Sequence, residues 1–193
     1  MKITKIKTTA GRFGTPVTTE LSAVVERMRS TAVKESAERL ANVALRSRIA
    51  MERGAPRYQL KDADRLPYLV FSATFGRKSL DRLASATGLV MLNIPCQQGR
   101  RQVEELRRRV SQIPYTLLAF AGVSGVTLKG VVRCDYQSAA PPDAEAYLAF
   151  LKDAHESAAR LYTSLAMCDM LVGEQSLTRG CRMSYDPQLY YNP

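Results

Sequence analysis

One apolar run, GLVMLNI, constrains the fold of this chain more than any other feature. It covers residues 88–94, carries no charged side chain and ends at Pro95. A continuous run of this kind is typical of a strand that is buried on both faces of a sheet. Residues 98–112 follow it, with apolar residues at helical spacing and arginines between them. The pattern therefore predicts a central strand, a turn and a basic amphipathic helix.

Other strands are predicted from alternation, from β-branched and aromatic content, and from a Ser-Gly pair between two apolar runs that indicates a hairpin. Together with the central run, the predicted strands cover residues 2–8, 66–75, 88–94, 115–123, 127–136 and 179–186. Residues 76–86 are predicted to be a polar connection with one helical turn.

Helices are predicted where apolar residues recur every three or four positions. They cover about residues 18–29, 33–52, 98–112 and 143–167. Gly11, Gly14 and Pro16 are predicted to break the chain before the first helix, and Gly54 and Pro56 to end the second.

These elements predict an α+β fold with one mixed, mainly antiparallel sheet that helices cover on one side. A chain of 193 residues is long enough for one domain and its own core. We therefore expect a single domain over residues 1–193. Its helical N-terminal part covers residues 1–60, and its sheet-containing core covers residues 61–193.

The charge balance points to an anionic partner. The chain has 28 Lys and Arg against 18 Asp and Glu, a net charge of +10. Nucleic acid is the commonest partner of such a surface; an anionic membrane surface, an anionic substrate or a merely solvated positive surface are the alternatives. Four cysteines without metal-ligand spacing and a single histidine, His155, argue against a zinc site. We expect His155 to be a surface residue.

The sequence has no secretory signal and no apolar stretch long enough to cross a bilayer. We therefore expect a cytoplasmic protein without a membrane partner.

The end of the central strand is the first candidate site. Two carboxylates one residue apart at such a position would share a face and could hold divalent metal ions. Asn93 and Pro95 have this spacing, but an amide is a weak, neutral ligand and proline offers no side-chain ligand. An ordinary strand end before a helix explains both residues equally well.

Three other segments could bind phosphate groups. They are the hairpin turn with the strand after it, the arginine-rich helix, and the closing segment in which tyrosines interleave with arginines. A plain hairpin, a solvated helix face and a core tyrosine cluster are the respective alternatives. The candidate residues are Ser124, Gly125, Lys129, Arg133, Arg100, Arg101, Arg107, Arg108, Arg179 and Arg182.

Four segments occur in the order seen in the VirE-type amino-terminal domain, which the chain resembles. They are DADRLPYLVFSATFG, ATGLVMLNIP, IPYTLLAFAGVSGVTLKGVVR and LTRGCRMSYDPQLYYNP. The closing pattern is the most specific part, with Arg179, Cys181, Ser184, Tyr185, Asp186, Pro187, Tyr190 and Asn192. The resemblance implies a primase-like catalytic core, related to archaeo-eukaryotic primases and found in bacterial mobile elements.

The chain departs from that family where the resemblance implies metal ligands. An Asp-x-Asp is expected where Asn93 and Pro95 stand, and a further acid where Leu171 stands. The expected Ser-Gly-Lys-Gly-x-Lys loop keeps Ser124, Gly125 and Lys129 only. The resemblance thus implies a degenerate site without metal or cofactor.

We therefore expect a non-catalytic primase-like domain that binds nucleic acid, with single-stranded DNA favoured, in the replication or regulation of a bacterial mobile element. One alternative is an active nucleotidyltransferase that uses displaced acids such as Asp135, Asp169 or Asp186. The other is a docking module for a separately encoded helicase-type protein.

Overall fold

The computed structural model describes residues 1–9, 12–52, 66–76, 79–137 and 143–193. The strands in these ranges are β1 Lys2–Thr9, β2 Arg12–Glu20, β3 Tyr68–Val70, β4 Ala73–Phe75, β5 Leu83–Ala86, β6 Leu89–Pro95, β7 Thr116–Ala121, β8 Thr127–Arg133, β9 Cys181–Arg182 and β10 Tyr190–Tyr191. The helices are α1 Leu21–Arg29, α2 Lys34–Glu52, α3 Arg100–Ser111 and α4 Ala144–Ala166, with a short 3₁₀ turn, Thr31–Val33, between α1 and α2.

The strands form antiparallel sheets. One has the order β2-β1-β3-β9, a second has the order β10-β7-β8-β6, and β4 pairs with β5. The α+β class is confirmed, but the expectation of one mixed sheet was wrong. The apolar run over residues 66–75 breaks at Phe71 and Ser72, so that its two halves, β3 and β4, join different sheets.

The N-terminal part contains the predicted strand and both predicted helices, together with one strand, β2, that was not predicted. β1 and β2 form a hairpin, and β1 continues the sheet by pairing Thr4 with Val70 of β3. Gly14 and Pro16 predicted a break, yet both lie within β2, which is an edge strand. Proline is tolerated at such an edge because its missing N–H has no partner to lose.

The predicted central strand is confirmed and is β6. Val90, Leu92 and Ile94 share a core with α3 and α4. Leu89 and Met91 belong to a second core with α1 and with the β1–β3–β9 sheet. Since successive side chains of a strand point to opposite faces, β6 is covered on both sides.

The predicted helices differ from the structure mainly at their ends. α3 and α4 each start and end one or two residues inside the predicted range. Asp143 is the N-cap of α4, and its side chain accepts hydrogen bonds from two N–H groups of the first turn. Residues 83–86 form β5 instead of part of a helical turn, and the late strand shrinks to Cys181–Arg182. The predicted end of α2 at Gly54 and Pro56 lies outside the described residues.

None of the helices in the described part of the chain combines the length and the apolar composition needed to cross a bilayer.

Candidate anion-binding site

The residues at the end of β6 meet those of β8 and of the segment after α4. Asn93 pairs with Lys129 in the β6–β8 register, and the Nζ of Lys129 donates a hydrogen bond to the Oδ1 of Asn93. The carbonyl oxygen of Asn93 accepts a bond of 2.8 Å from the N–H of Leu171. Three positions singled out in the sequence are therefore in direct contact.

Lys129 is a cation without a carboxylate partner among the described residues. Burial lowers the pKa of Lys129; the positive charge of Arg179 acts in the same direction and Cys181 in the opposite one. Burial raises the pKa of Cys181 to about 11, so that its thiol is neutral near pH 7. A desolvated ammonium facing an amide and a neutral thiol lacks compensation, and an anion would supply it.

Arg179 is the second cation of this site. It precedes β9, and its Nη1 donates to the carbonyl oxygen of Glu174. With Met91, Gln175 and Ser176 it lines a narrow cavity of about 10 Å³ at the edge of β6. A cavity of this size has room for about one water molecule.

The turn after β7 lies beside Lys129. Gly122 has room for no side chain, because a Cβ there would lie 2.2 Å from the Oγ1 of Thr127 and 3.2 Å from the Cε of Lys129. Gly125 has a φ of 70° and uses its N–H in a bond of 2.9 Å to the carbonyl of Gly122. Ser124 is half-buried. The turn thus shapes the wall beside Lys129, while the N–H of Gly125 is already occupied.

The remaining arginines lie elsewhere. Arg133 sits at the far end of β8, opposite Leu89, and donates to the carbonyl of Asn192 at 2.9 Å. Arg182 donates to the carbonyl of Leu66 at 3.1 Å, and its guanidinium lies 5.9 Å from the ring centre of Tyr68. The exposed arginines of α3, on the other side of the β6–β8 sheet, are Arg100, Arg101 and Arg108.

Arg107 corrects the prediction that the arginines of this helix face outward. Its Nη2 forms an ion pair of 2.7 Å with Asp186, and the two side chains are only 12% and 6% exposed. The same Oδ2 of Asp186 accepts a bond of 2.7 Å from the N–H of Ala121. Arg107 therefore fixes the closing segment to α3 and β7.

The donor set does not fit the metal site that the resemblance implies. At the three positions where acids are expected, the chain offers one amide and two side chains without a ligand atom, Asn93, Pro95 and Leu171. Asp169 lines a cavity of about 360 Å³ with Pro95, and Glu105 lines the same cavity but is paired with Arg109. The described residues contain no group of three or more His, Cys, Asp or Glu that could hold a metal ion.

Sequence reasoning also missed His155. It was predicted to be a surface residue, but it is 1% exposed, and within the described structure its Nε2 has no hydrogen-bond partner. Burial lowers the pKa of His155; the charge of Arg179 adds to this effect, and Glu156 opposes it. The missed signal is the helical spacing of Leu151, His155 and Ala158, which places all three on one buried face.

Residues 61–191 match the family described as the BT4734-like, N-terminal domain, and the chain belongs to this family. The match takes in β3 to β10, and with them Lys129, Asn93 and Arg179. No curated protein and no solved structure matches the chain.

Proposed function

We propose that this domain is a catalytically degenerate, primase-like module that binds nucleic acid, with single-stranded DNA favoured, at the cleft around Lys129. Its role is in the replication or regulation of a bacterial mobile element. Membership of the BT4734-like family covers the part of the chain that contains this cleft.

The observation that carries the proposal is the state of Lys129. Its amine is desolvated and donates to the neutral amide of Asn93, with Arg179 nearby. In the part of the chain that the structure describes, neither cation faces a carboxylate, and such a pair favours a ligand that brings negative charge of its own, as a phosphodiester does.

The same arrangement argues against phosphoryl transfer. That reaction depends on metal ions that neutralise the charge developing on the phosphoryl group. Where the resemblance expects acids to hold those ions, Asn93 supplies a neutral oxygen and Lys129 supplies a positive charge. Lys129 and Arg179 can bind phosphates and leave them chemically unchanged.

Fluorescence anisotropy with labelled oligothymidylate tests the proposal. We expect binding that weakens steeply with salt, by a logarithmic slope of about 0.7 for each phosphate contact on a single strand. The double variant Lys129→Ala/Arg179→Ala should weaken binding by roughly tenfold or more, the loss expected from about 1.4 kcal/mol of charge-assisted contacts.

A matched control separates this cleft from general charge. The variant Lys152→Ala/Arg82→Ala removes the same two charges from exposed positions outside the cleft and should lower affinity only slightly. Equal losses in the two double variants, or no binding at low salt, would refute the proposal. Parallel titrations with RNA and with duplex DNA decide the preferred strand type.

A docking role is the second candidate, and exposed apolar residues favour it. Leu161 and Leu165 lie one turn apart on α4 and are 38% and 55% exposed, while Leu171 and Val172 are 51% and 66% exposed. Apolar side chains grouped at a surface often mark protein contacts. Recovery of a stoichiometric helicase-type partner in nuclease-treated pull-downs, lost in Leu161→Ser/Leu165→Ser, would favour this role.

The enzyme alternative relies on displaced acids such as Asp135, Asp169 or Asp186, of which Asp169 is exposed and lines the cavity beside Pro95. Primer extension in Mn²⁺ or Mg²⁺ that Asp169→Asn abolishes would establish it. Tight, stoichiometric Mn²⁺ uptake in calorimetry would point the same way.

A further inference from the structure

Residues 170–179 run along the outer edge of β6, and we call this segment the strap. Asp169 lies beside Pro95, Leu171 is bonded to Asn93, and Gln175 lies beside Leu89 and Met91. The strap therefore runs antiparallel to β6, from the α4 side of the sheet to β9.

The strap is held by few bonds. Among the backbone bonds between described residues, one joins it to β6, from the N–H of Leu171 to the carbonyl of Asn93. The Oγ of Ser72 also donates to the carbonyl of Leu177 at 3.3 Å, and the side chains of Met170 and Leu177 pack against the core that β6 shares with α3 and α4. Between these two apolar contacts, Leu171 and Val172 have exposed apolar side chains. A segment with few hydrogen bonds to the rest of the molecule and exposed apolar groups opens at a lower free-energy cost than the core does.

The side chain of Arg179, at the end of the strap, is held by the backbone of the same segment. Its guanidinium donates to the carbonyl of Glu174 and lies against Gly173, where a Cβ would be 3.0 Å from Nη2 and 3.1 Å from Nη1. Beneath the strap, His155 is buried with an unpartnered Nε2, close enough to Arg179 to be influenced by its charge. In this position Arg179 donates to a backbone carbonyl, although it lies near Lys129, which has no carboxylate partner among the described residues.

We propose that the strap is an autoinhibitory cover. When the strap is closed, the guanidinium of Arg179 is bonded to the strap's own backbone, and the cavity beside β6 is too small for a phosphate. When the strap is open, the side chain of Arg179 is free to bind a phosphate group that Lys129 holds. The inference rests on the proposed phosphate binding at this cleft and adds its regulation. Affinity for the ligand is then reduced by the fraction of molecules in which the strap is closed.

Gly173→Ala tests the cover. The new Cβ would lie 3.0 and 3.1 Å from the two guanidinium nitrogens of Arg179, so that this flexible end must shift and its bond to Glu174 is weakened, whereas in the matched control Gly76→Ala the new Cβ meets Arg82 at an ordinary 3.5 Å. We expect Gly173→Ala to raise hydrogen exchange in peptides that span residues 168–180. It should also tighten oligothymidylate binding roughly three- to tenfold, as a larger open fraction requires. Gly76→Ala should change neither.

Leu171→Pro provides a second route, because it removes the N–H that bonds to Asn93, and it should have the same two effects. Unchanged exchange and unchanged affinity in both strap variants would overturn the cover. Faster exchange with weaker binding would also overturn it, since Arg179 would then not be delivered. Absence of binding by the unaltered protein would instead overturn the proposed function.

Discussion

Two buried cations of this molecule have opposite surroundings. Arg107 faces Asp186 at 2.7 Å, and that carboxylate also accepts the N–H of Ala121. Lys129 faces the neutral amide of Asn93. Both cations contact the sheet that contains β7 and β8, but among the described residues only Arg107 has a counter-charge.

The difference separates a structural role from a binding role. A buried pair that satisfies its own charge holds elements together and has little affinity left for a ligand. A largely desolvated cation that lacks a counter-charge lowers stability, and binding an anion offsets that cost. The arginine-rich helix and the closing segment were both predicted to bind phosphate. The ion pair of Arg107 with Asp186 joins these two segments, so that one residue of each has a structural role.

The largest expected effect comes from breaking the compensated pair. Asp186→Asn should lower the free energy of unfolding by about 3–5 kcal/mol, because Arg107 is left as an uncompensated buried charge. The exposed pair of Arg100 and Glu104, at 3.1 Å, is the control. Glu104→Gln should cost less than about 1 kcal/mol in the same urea titration. Similar losses in both variants would show that the burial of the Asp186 pair has no energetic consequence.

His155 adds a third case to the comparison of Arg107 with Lys129, because it is a buried group that is neutral in the folded protein. Its pKa is lower in the folded protein than its ordinary value of 6.5. The unfolded chain therefore binds the proton first as the pH falls, and stability is lost from about pH 6.5 downward until the folded pKa is reached. We expect thermal unfolding of His155→Leu to be less sensitive than the unaltered protein between about pH 7.5 and pH 5. An identical decline in the two proteins would assign the loss to other groups.

Lys129→Met should leave stability unchanged or raise it by about 1 kcal/mol, since an uncompensated buried charge is replaced by an apolar chain of similar length. The pKa of Lys129 is lowered in the folded state from its ordinary value of 10.5, so the cost of its charge is full below the folded pKa and is gone above 10.5. The unaltered protein should thus gain stability relative to the variant as the pH rises from the folded pKa toward 10.5. A variant that is markedly less stable at neutral pH would show that Lys129 has a structural partner.

The smallest effect is expected on the exposed face of α3. Arg101→Gln and Arg108→Gln should each change stability by less than about 0.5 kcal/mol, as is usual for exposed positions. If nucleic acid extends onto this helix, the two substitutions together reduce the salt dependence of binding while leaving stability intact. A decrease in stability comparable to that of Asp186→Asn would place these arginines in the structural group.

The strongly periodic parts of the fold were predictable and the sheet boundaries were not. β6, α3 and α4 follow from one continuous apolar run and from helical spacing. β2 was missed because Gly14 and Pro16 usually end a strand, yet an edge position tolerates both. The division of residues 66–75 between two sheets depends on tertiary pairing with β1 and β5, which no local pattern encodes.

The candidate site was predictable only in part. Asn93, Lys129 and Leu171 were singled out; the contact of Asn93 with Lys129 follows from the pairing of β6 with β8, whereas the bond of Leu171 to Asn93 comes from the segment after α4. The pairing of Arg107 with Asp186 joins residues 79 positions apart, so that a helix pattern alone placed Arg107 outward with its neighbours. His155 shows the opposite error, since acidic neighbours in the sequence outweighed a spacing that placed it on the buried face of α4.

The strap also affects the tendency of the protein to aggregate. β6 is the last strand of its sheet, and an uncovered strand edge is a template on which the strands of other chains can add and aggregate. By covering that edge, residues 170–179 protect the protein from such association. Each opening of the strap that admits a ligand therefore also exposes the unpaired backbone groups of β6 to other chains.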